Sequence, residues 1–379
     1  MCLHLSVAVL SGQSVSIDMD PQSSVEDLRK AAESGLQTSL GILVRPGGAE
    51  FLRGTSSLQD AGIQDGDVVG AFTAKPKLQL HSNRLAHAIC AIQTDGSVLA
   101  WGDEDSGGDS SDVQEELVNV WDVRMTARAC AALRRDGTVV TWGCEELGGD
   151  SSELVEELQN IQRLFSTAGA FAAIRADNKV ITWGDEDWGG DCSEVQDDLE
   201  NVSHICASGA AFAALKNDGS VITWGSACHG GDSQSVQEQL KDVKSISATS
   251  AAFAAVTGSG KVVVWGDPLL GGDSNKVPAD LIGVQRLEAT AGAFAAIKSD
   301  GSIVCWGLPE LGGTVTDVAD EIQNCRALIP SGNAFAAITP EGRVVCWGDP
   351  EACFKDRVCA QSAHNHQMYL AHDKSSPAS

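Results

Sequence analysis

Tyrosine is almost missing from this chain: one occurs in 379 residues, beside nine tryptophans and 40 glycines. That skew points to a motif used many times rather than to general composition. Runs of lysine or arginine are absent as well. With 26 basic against 52 acidic residues, the formal net charge is −26. Such a chain repels DNA, RNA and acidic membrane surfaces, so neither nucleic acid nor membrane is an expected partner. No apolar stretch reaches the length of a membrane-spanning helix. MCLHLSVAVLSGQSV lacks the basic region that opens a secretory signal. The expected location is intracellular: cytoplasmic, with the nucleus as the alternative.

Twelve cysteines are scattered without a Cys-x-x-Cys pair, and Cys90, Cys305 and Cys346 fall within apolar strand patterns. Reduced, buried thiols are the expectation. His-Glu-x-x-His, Gly-x-Ser-x-Gly, P-loop and Rossmann glycine patterns are all missing. Cys228-His229 is a neighbouring pair with no third group to make it a nucleophile. No catalytic residue, metal or cofactor is expected.

What is present is a repeat. Trp-Gly recurs at Trp101, Trp142, Trp183, Trp224, Trp265, Trp306 and Trp347, each step 41 residues. Turn dipeptides keep the same register: Asp95-Gly96, Asp136-Gly137, Asp177-Asn178, Asp218-Gly219, Ser259-Gly260, Asp300-Gly301 and Glu341-Gly342. Glycine or asparagine there tolerates positive φ. Ahead of each turn stands Phe171, Phe212, Phe253, Phe294 or Phe335, with Ile89 and Cys130 in the first two copies. Small residues follow, as in Ala213-Ala214. Each unit therefore holds a hairpin, AFAAI, turn, SVITWG. This hairpin is expected to be the inner one of its unit, its alanines crowded near a central axis and its Trp and Phe in wider layers.

Six units continue with Gly-Gly, from Gly107-Gly108 to Gly312-Gly313. Beyond it, Val236, Leu240, Val243 and Ile246 repeat the phase of Val195, Leu199, Val202 and Ile205. That spacing fits a helix, and a short turn followed by a strand fits equally well. A period near 40 with several strands per unit indicates a β-propeller, one unit per blade.

The pattern of hydrophobic-small-small-hydrophobic, Asp-Gly, short β run and Trp-Gly resembles the RCC1-like repeat over residues 78–379. The resemblance implies a mainly β fold, a seven-bladed propeller with short loops. After Trp347 the register fails. MYLAHDKS, Met368 to Ser375, still looks like the start of an eighth unit with Tyr369 in the Phe position. A segment near 364–375 is expected to pair with the first blade and close the ring, which would remove exposed sheet edges.

Residues 1–75 carry a different pattern. LHLSVAVL-SG-QSVSIDM reads as a hairpin. Ser23 or Ser24 can cap a helix with Val25, Leu28 and Ala32 on its apolar stripe and Gly35 at its end. GILV and GAF supply further strands. The ββαβ…β order, with SLQDAGIQDGDVV (Ser57 to Val69), resembles the ubiquitin-like β-grasp fold. Here the last strand runs on as AFTAKPKL, without the terminal Gly-Gly of conjugated relatives. The resemblance implies a recognition module, with an apolar contact patch near Leu10, Leu43 and Phe72.

Function is sought where the copies differ. Trp-Gly, present seven times, is a packing element. The loops after it are acidic: Asp103-Glu104-Asp105, Asp185-Glu186-Asp187, and Asp109, Asp150, Asp191, Asp232 and Asp273. They lack the spaced ligands of a calcium loop, and the Asp after Gly-Gly reads as a turn residue. As a ring on one rim they suit a basic protein partner. The residue before Gly-Gly changes from copy to copy: Ser106, Leu147, Trp188, His229, Leu270, Leu311. These form a candidate contact ring, since Trp is favoured at binding hot spots.

The function expected is a non-enzymatic interaction scaffold joining a ubiquitin-like module to a propeller surface. Similarity to the propellers of HERC-type ubiquitin ligases implies an alternative, a substrate-recognition component of such a pathway, without ligase activity because no HECT domain is present. Guanine-nucleotide exchange on a small GTPase, implied by the founding RCC1 member, is the third expectation. The short loops and negative charge weigh against it.

Overall fold

The computed structural model describes residues 2–9, 14–36, 40–44, 52, 56–73, 79–81, 86–278 and 281–352. Two compact units emerge: Met1–Leu80 with Ala91–Leu99, and His81–Cys90 with Ala100–Ser379.

In the first unit, β1 (Leu3–Val9) pairs antiparallel with β2 (Ser14–Met19). The helix α1 (Val25–Leu36) follows, then β3 (Leu40–Val44) and β4 (Val68–Thr73). The sheet order is β2-β1-β4-β3, with β1 and β4 parallel, a β-grasp arrangement. Ser24 settles where α1 starts. Its Oγ accepts the Asp27 N–H at 3.1 Å, while the Asp27 carboxylate accepts from the Ser24 N–H at 3.0 Å. That reciprocal pair satisfies two end groups of the helix. Val25, Leu28 and Ala32 then face the sheet and pack with Leu5, Val7, Leu43, Val69 and Ala71. The helix runs one residue past Gly35, and a Cβ there would stand 2.5 Å from the Val15 side chain.

Among the described residues, seven three-stranded sheets make up the repeat region. In the third, the strands are Ile161–Ser166, Ala170–Arg175 and Val180–Gly184. The fold is that of a β-propeller, mainly β, with each sheet a blade. The part of the repeat that the sequence leaves open between helix and strand is both short 3₁₀ turn and strand. In the fifth copy, Gln237–Gln239 is the turn and Val243–Ala248 the strand. This strand, not the Trp-Gly hairpin, is the inner one. First strands of successive blades lie side by side from blade 2 to blade 7. The Ser166 hydroxyl donates to the Met125 carbonyl at 2.9 Å across one such seam. The Trp-Gly hairpin is therefore the outer pair of strands.

The alanines have a different cause from crowding at an axis. They belong to the middle strand and face the seams. Ala211 and Ala213 of blade 4 pack against Phe253 and Trp265 of blade 5, and each neighbouring seam repeats this. Phe and Trp of one blade stack with ring centres 5.2 to 5.3 Å apart. A flat pair of that size needs small residues opposite. Blade 2 departs: Cys130 stands in the Phe position, with its Sγ 3.7 Å from that of Cys90. Both thiols are buried and free.

Residues 353–379, including the segment 364–375 expected to close the ring, lie outside the described residues, as does Leu10.

Candidate protein-binding face

At one end of blades 1 to 4 and 6 the third strand finishes in Trp-Gly and the chain folds into a 3₁₀ turn. Glu186–Trp188 and Ala227–His229 are two such turns. The first glycine of the Gly-Gly pair ends the turn in a left-handed conformation; Gly189 has φ +97°. A Cβ on Gly189 would also stand 2.8 Å from the Phe212 ring of the next blade. Both needs leave glycine as the residue that fits.

Side-chain hydroxyls bonded to backbone carbonyls hold these turns alike in successive copies. The Thr167 hydroxyl donates to the Trp188 carbonyl at 3.0 Å, Ser208 to His229 at 2.9 Å, Thr249 to Leu270 at 3.0 Å and Thr290 to Leu311 at 2.8 Å. The residue before Gly-Gly thus has a fixed backbone and a free choice of side chain. Trp188 is 37% exposed. One face of its ring covers Gly169, whose hypothetical Cβ would lie 2.8 Å away. Its ring stacks with that of His229 at 6.5 Å, and His229 is steadied by the Ser226 hydroxyl at 3.0 Å from Nδ1. Leu270 and Leu311 meet above Gly292. Leu147 is half-buried, and Ser106 is buried. Local packing and surface presentation therefore coexist along this row.

Around it the charge is one-sided. Asp103, Glu104, Asp105, Glu186 and Asp187 are exposed and Asp185 is half-buried. A groove of about 1240 Å³ opens between the loops of blades 3 and 4. Trp188 and His229 line it, with Glu186, Asp187, Asp191 and Asp232. The equivalent groove between blades 1 and 2, about 660 Å³, is lined by Glu104, Asp105 and Asp109 and contains Arg128. Arg128 stands in register where blades 3 to 6 have Gly169, Ala210, Ala251 and Gly292, a cation in a position those copies keep small, which the sequence displays outside the loops that follow Trp-Gly.

The carboxylates are held in turns. Asp191 accepts the Ser193 N–H at 2.8 Å, and Asp109 and Asp150 make the same bond to Ser111 and Ser152. These backbone bonds hold all three carboxyls below the usual carboxylate range. They stay ionised at neutral pH. Ion pairs instead gather at the opposite end, among them Arg134–Asp136, Arg175–Asp177 and Lys298–Asp300. Among the described residues, no group of three or more His, Cys, Asp or Glu is placed to hold a metal, and no helix is long and apolar enough to cross a membrane.

The patch expected on the first unit changes. Leu43 is 2% exposed and belongs to the core beside α1, so its side chain presents nothing to a partner. Phe72 lies on β4.

No family model and no curated protein matches the chain. Solved structures do. Prp20p of Saccharomyces cerevisiae, described with its binding to Gsp1p and histones, is 15% identical over 63% of this chain and 74% of its own, with a TM-score of 0.42. Human WBSCR16 is 15% identical over 74% of this chain and 89% of its own, TM-score 0.44. The ubiquitin-like domain of Plasmodium falciparum Dsk2 is 21% identical over 20% of this chain and 100% of its own, TM-score 0.18.

Proposed function

We propose that the chain is a non-enzymatic scaffold whose propeller binds a protein partner through the end that carries the Trp-Gly loops. The observation that supports this most is the pairing of Trp188 and His229 above a groove lined by the carboxylates of Glu186, Asp187, Asp191 and Asp232. An aromatic platform with acidic surroundings suits a basic segment: cations over an aromatic face gain about 0.5–2 kcal/mol, and charge complementarity speeds association. Uniform loop backbones with differing side chains fit recognition on a repeated frame, since equal frames place unequal groups at defined points.

The test is binding of the purified chain to a panel of arginine- and lysine-rich peptides, read by calorimetry at low and high salt. Salt-sensitive binding that Trp188→Ala weakens at least tenfold supports the reading. Equal affinity for acidic and basic peptides contradicts it.

The finer role, recognition within a ubiquitin pathway, draws support from the β-grasp order β2-β1-β4-β3. A reconstituted ubiquitin-transfer system in which this chain recruits a substrate, and loses that effect without residues 1–75, tests it.

A further inference from the structure

Among the described residues, the inner strands carry four lysines and arginines, and three of them hold a carboxylate of their own. Arg124 Nε donates to Asp122 at 3.1 Å, Lys244 to Asp242 at 2.5 Å and Arg286 to Glu288 at 2.5 Å. In each pair the partner stands two residues away. The fourth cation, Arg163, has Ile161 and Phe165 at those places. Arg286 follows Arg163 by three repeats in strict register, so Phe165 occupies the position of Glu288. Arg163 is exposed and makes no ion pair among the described residues. Its Nη1 reaches the next blade and donates to the Ser203 carbonyl over a long 3.5 Å. In a chain of net charge −26 this bare guanidinium reverses the field locally.

His204 stands one repeat after Arg163, on the first strand of blade 4. The Phe165 ring meets its imidazole edge-on, with centres 5.4 Å apart and planes at 89°. His204 is exposed, and its ring makes no hydrogen bond among the described residues. The surrounding protein lowers its pKa, and the Arg163 and Arg124 guanidinium groups lower it further. The imidazole is therefore uncharged at neutral pH. Side chains of three successive inner strands thus act on one point, and the two charges felt there by His204 are both positive. Arg163 stands opposite Ile174, toward the hairpin turn, so this point lies away from the Trp-Gly loops. We propose that Arg163, His204 and Arg124 bind a phosphate group on the inner strands of blades 2 to 4. The Arg163 fork donates two N–H groups, a geometry that suits phosphate oxygens. His204 donates from blade 4, since a bound anion favours the imidazolium. Arg124, partly neutralised by Asp122, adds its field from blade 2. The two oxygens of a carboxylate are filled by the Arg163 fork alone, whereas a phosphate also turns oxygens toward blades 2 and 4.

The experiment follows the His204 imidazole of the full chain by nuclear magnetic resonance, its signal assigned by its loss in His204→Gln. Inorganic phosphate is added against sodium chloride at constant ionic strength. The expected result is a saturable shift of that signal and a higher His204 titration midpoint with phosphate bound. Arg163→Gln is expected to weaken binding at least tenfold while circular dichroism stays native, because Arg163 is exposed. Arg286→Gln, in the same register but paired with Glu288, is expected to leave binding unchanged. A phosphoserine peptide then separates the sources. Tighter binding than inorganic phosphate supports the site with a phosphorylated protein segment as its ligand, and equal binding supports it with free phosphate. No saturable shift with either probe, an equal response to acetate, or an equal loss in Arg286→Gln overturns the proposal.

Discussion

The indole Nε1 of Trp224 donates to the carbonyl of Gly189 at 3.0 Å, from one blade to the loop of the blade before it. The same bond joins Trp142 to Gly107, Trp183 to Gly148, Trp265 to Gly230, Trp306 to Gly271 and Trp347 to Gly312. It ties the two most regular features of the repeat, Trp-Gly and Gly-Gly, into one device for holding neighbouring blades together. Trp224→Phe keeps the ring and removes the donor. It is expected to cost about 1–2 kcal/mol, because the Gly189 carbonyl is left buried without its partner. Urea unfolding followed by circular dichroism checks the value.

Gly189→Ala attacks the same seam from the other side. The new methyl meets the Phe212 ring and the backbone stays at φ +97°. A loss of about 2–4 kcal/mol is expected from strain and overpacking together. Gly66→Ala is the control: its φ is +83°, but nothing lies within 4 Å. It isolates the backbone cost, about 1 kcal/mol.

Acid should loosen the hairpin turns. Asp177 and Asp300 are lowered to about 2, chiefly by the Arg175 side chain and the Ser302 hydroxyl respectively. A carboxyl whose folded value lies below its unfolded one stabilises the fold above the unfolded value, near 3.9, and loses that contribution as pH falls toward 2. Melting temperature measured from pH 5 to pH 2 is therefore expected to fall, and Asp300→Asn is expected to flatten that fall. An unchanged slope in the variant contradicts the assignment.

Thiol reactivity should divide the cysteines. Burial pushes the Cys206 and Cys305 thiols up to about 12, although each residue as a whole is half-buried. Cys2 and Cys228 are exposed. Brief treatment with iodoacetamide at pH 8 is expected to label Cys2 and Cys228 and to spare Cys206 and Cys305 until urea is added, since the thiolate is the reactive form. Peptide mapping reads the order.

The regular parts of the fold were legible because they use local chemistry. Turn dipeptides, the Ser24 cap and the Phe and Trp positions each follow from a single residue's preference. The first strand of each blade was not. In the fifth copy Val236 sits before a 3₁₀ turn, Leu240 ends it, and a bulge lies between Val243 and Ser245. Together they imitate helical spacing where no α-helix exists. The order of strands within a blade is also invisible locally, which is why the Trp-Gly hairpin read as inner. Leu43 shows the limit for sites: a residue placed by likeness to a patch turned out to be needed by the core. The groove beside Trp188 combines residues from two repeats, so no single stretch displays it.

The central claim is that the Trp-Gly end binds a basic partner through the Trp188 groove. Calorimetric titration with an arginine-rich peptide, comparing the wild-type chain with Trp188→Ala and with Asp187→Lys, tests it most directly. The expected result is at least a tenfold loss of affinity in each variant, with the melting temperature of Asp187→Lys within a few degrees of wild type because Asp187 is exposed, and that of Trp188→Ala lowered by loss of the ring's contacts with Gly169 and His229. Affinity that stays at the wild-type level in both variants contradicts the claim.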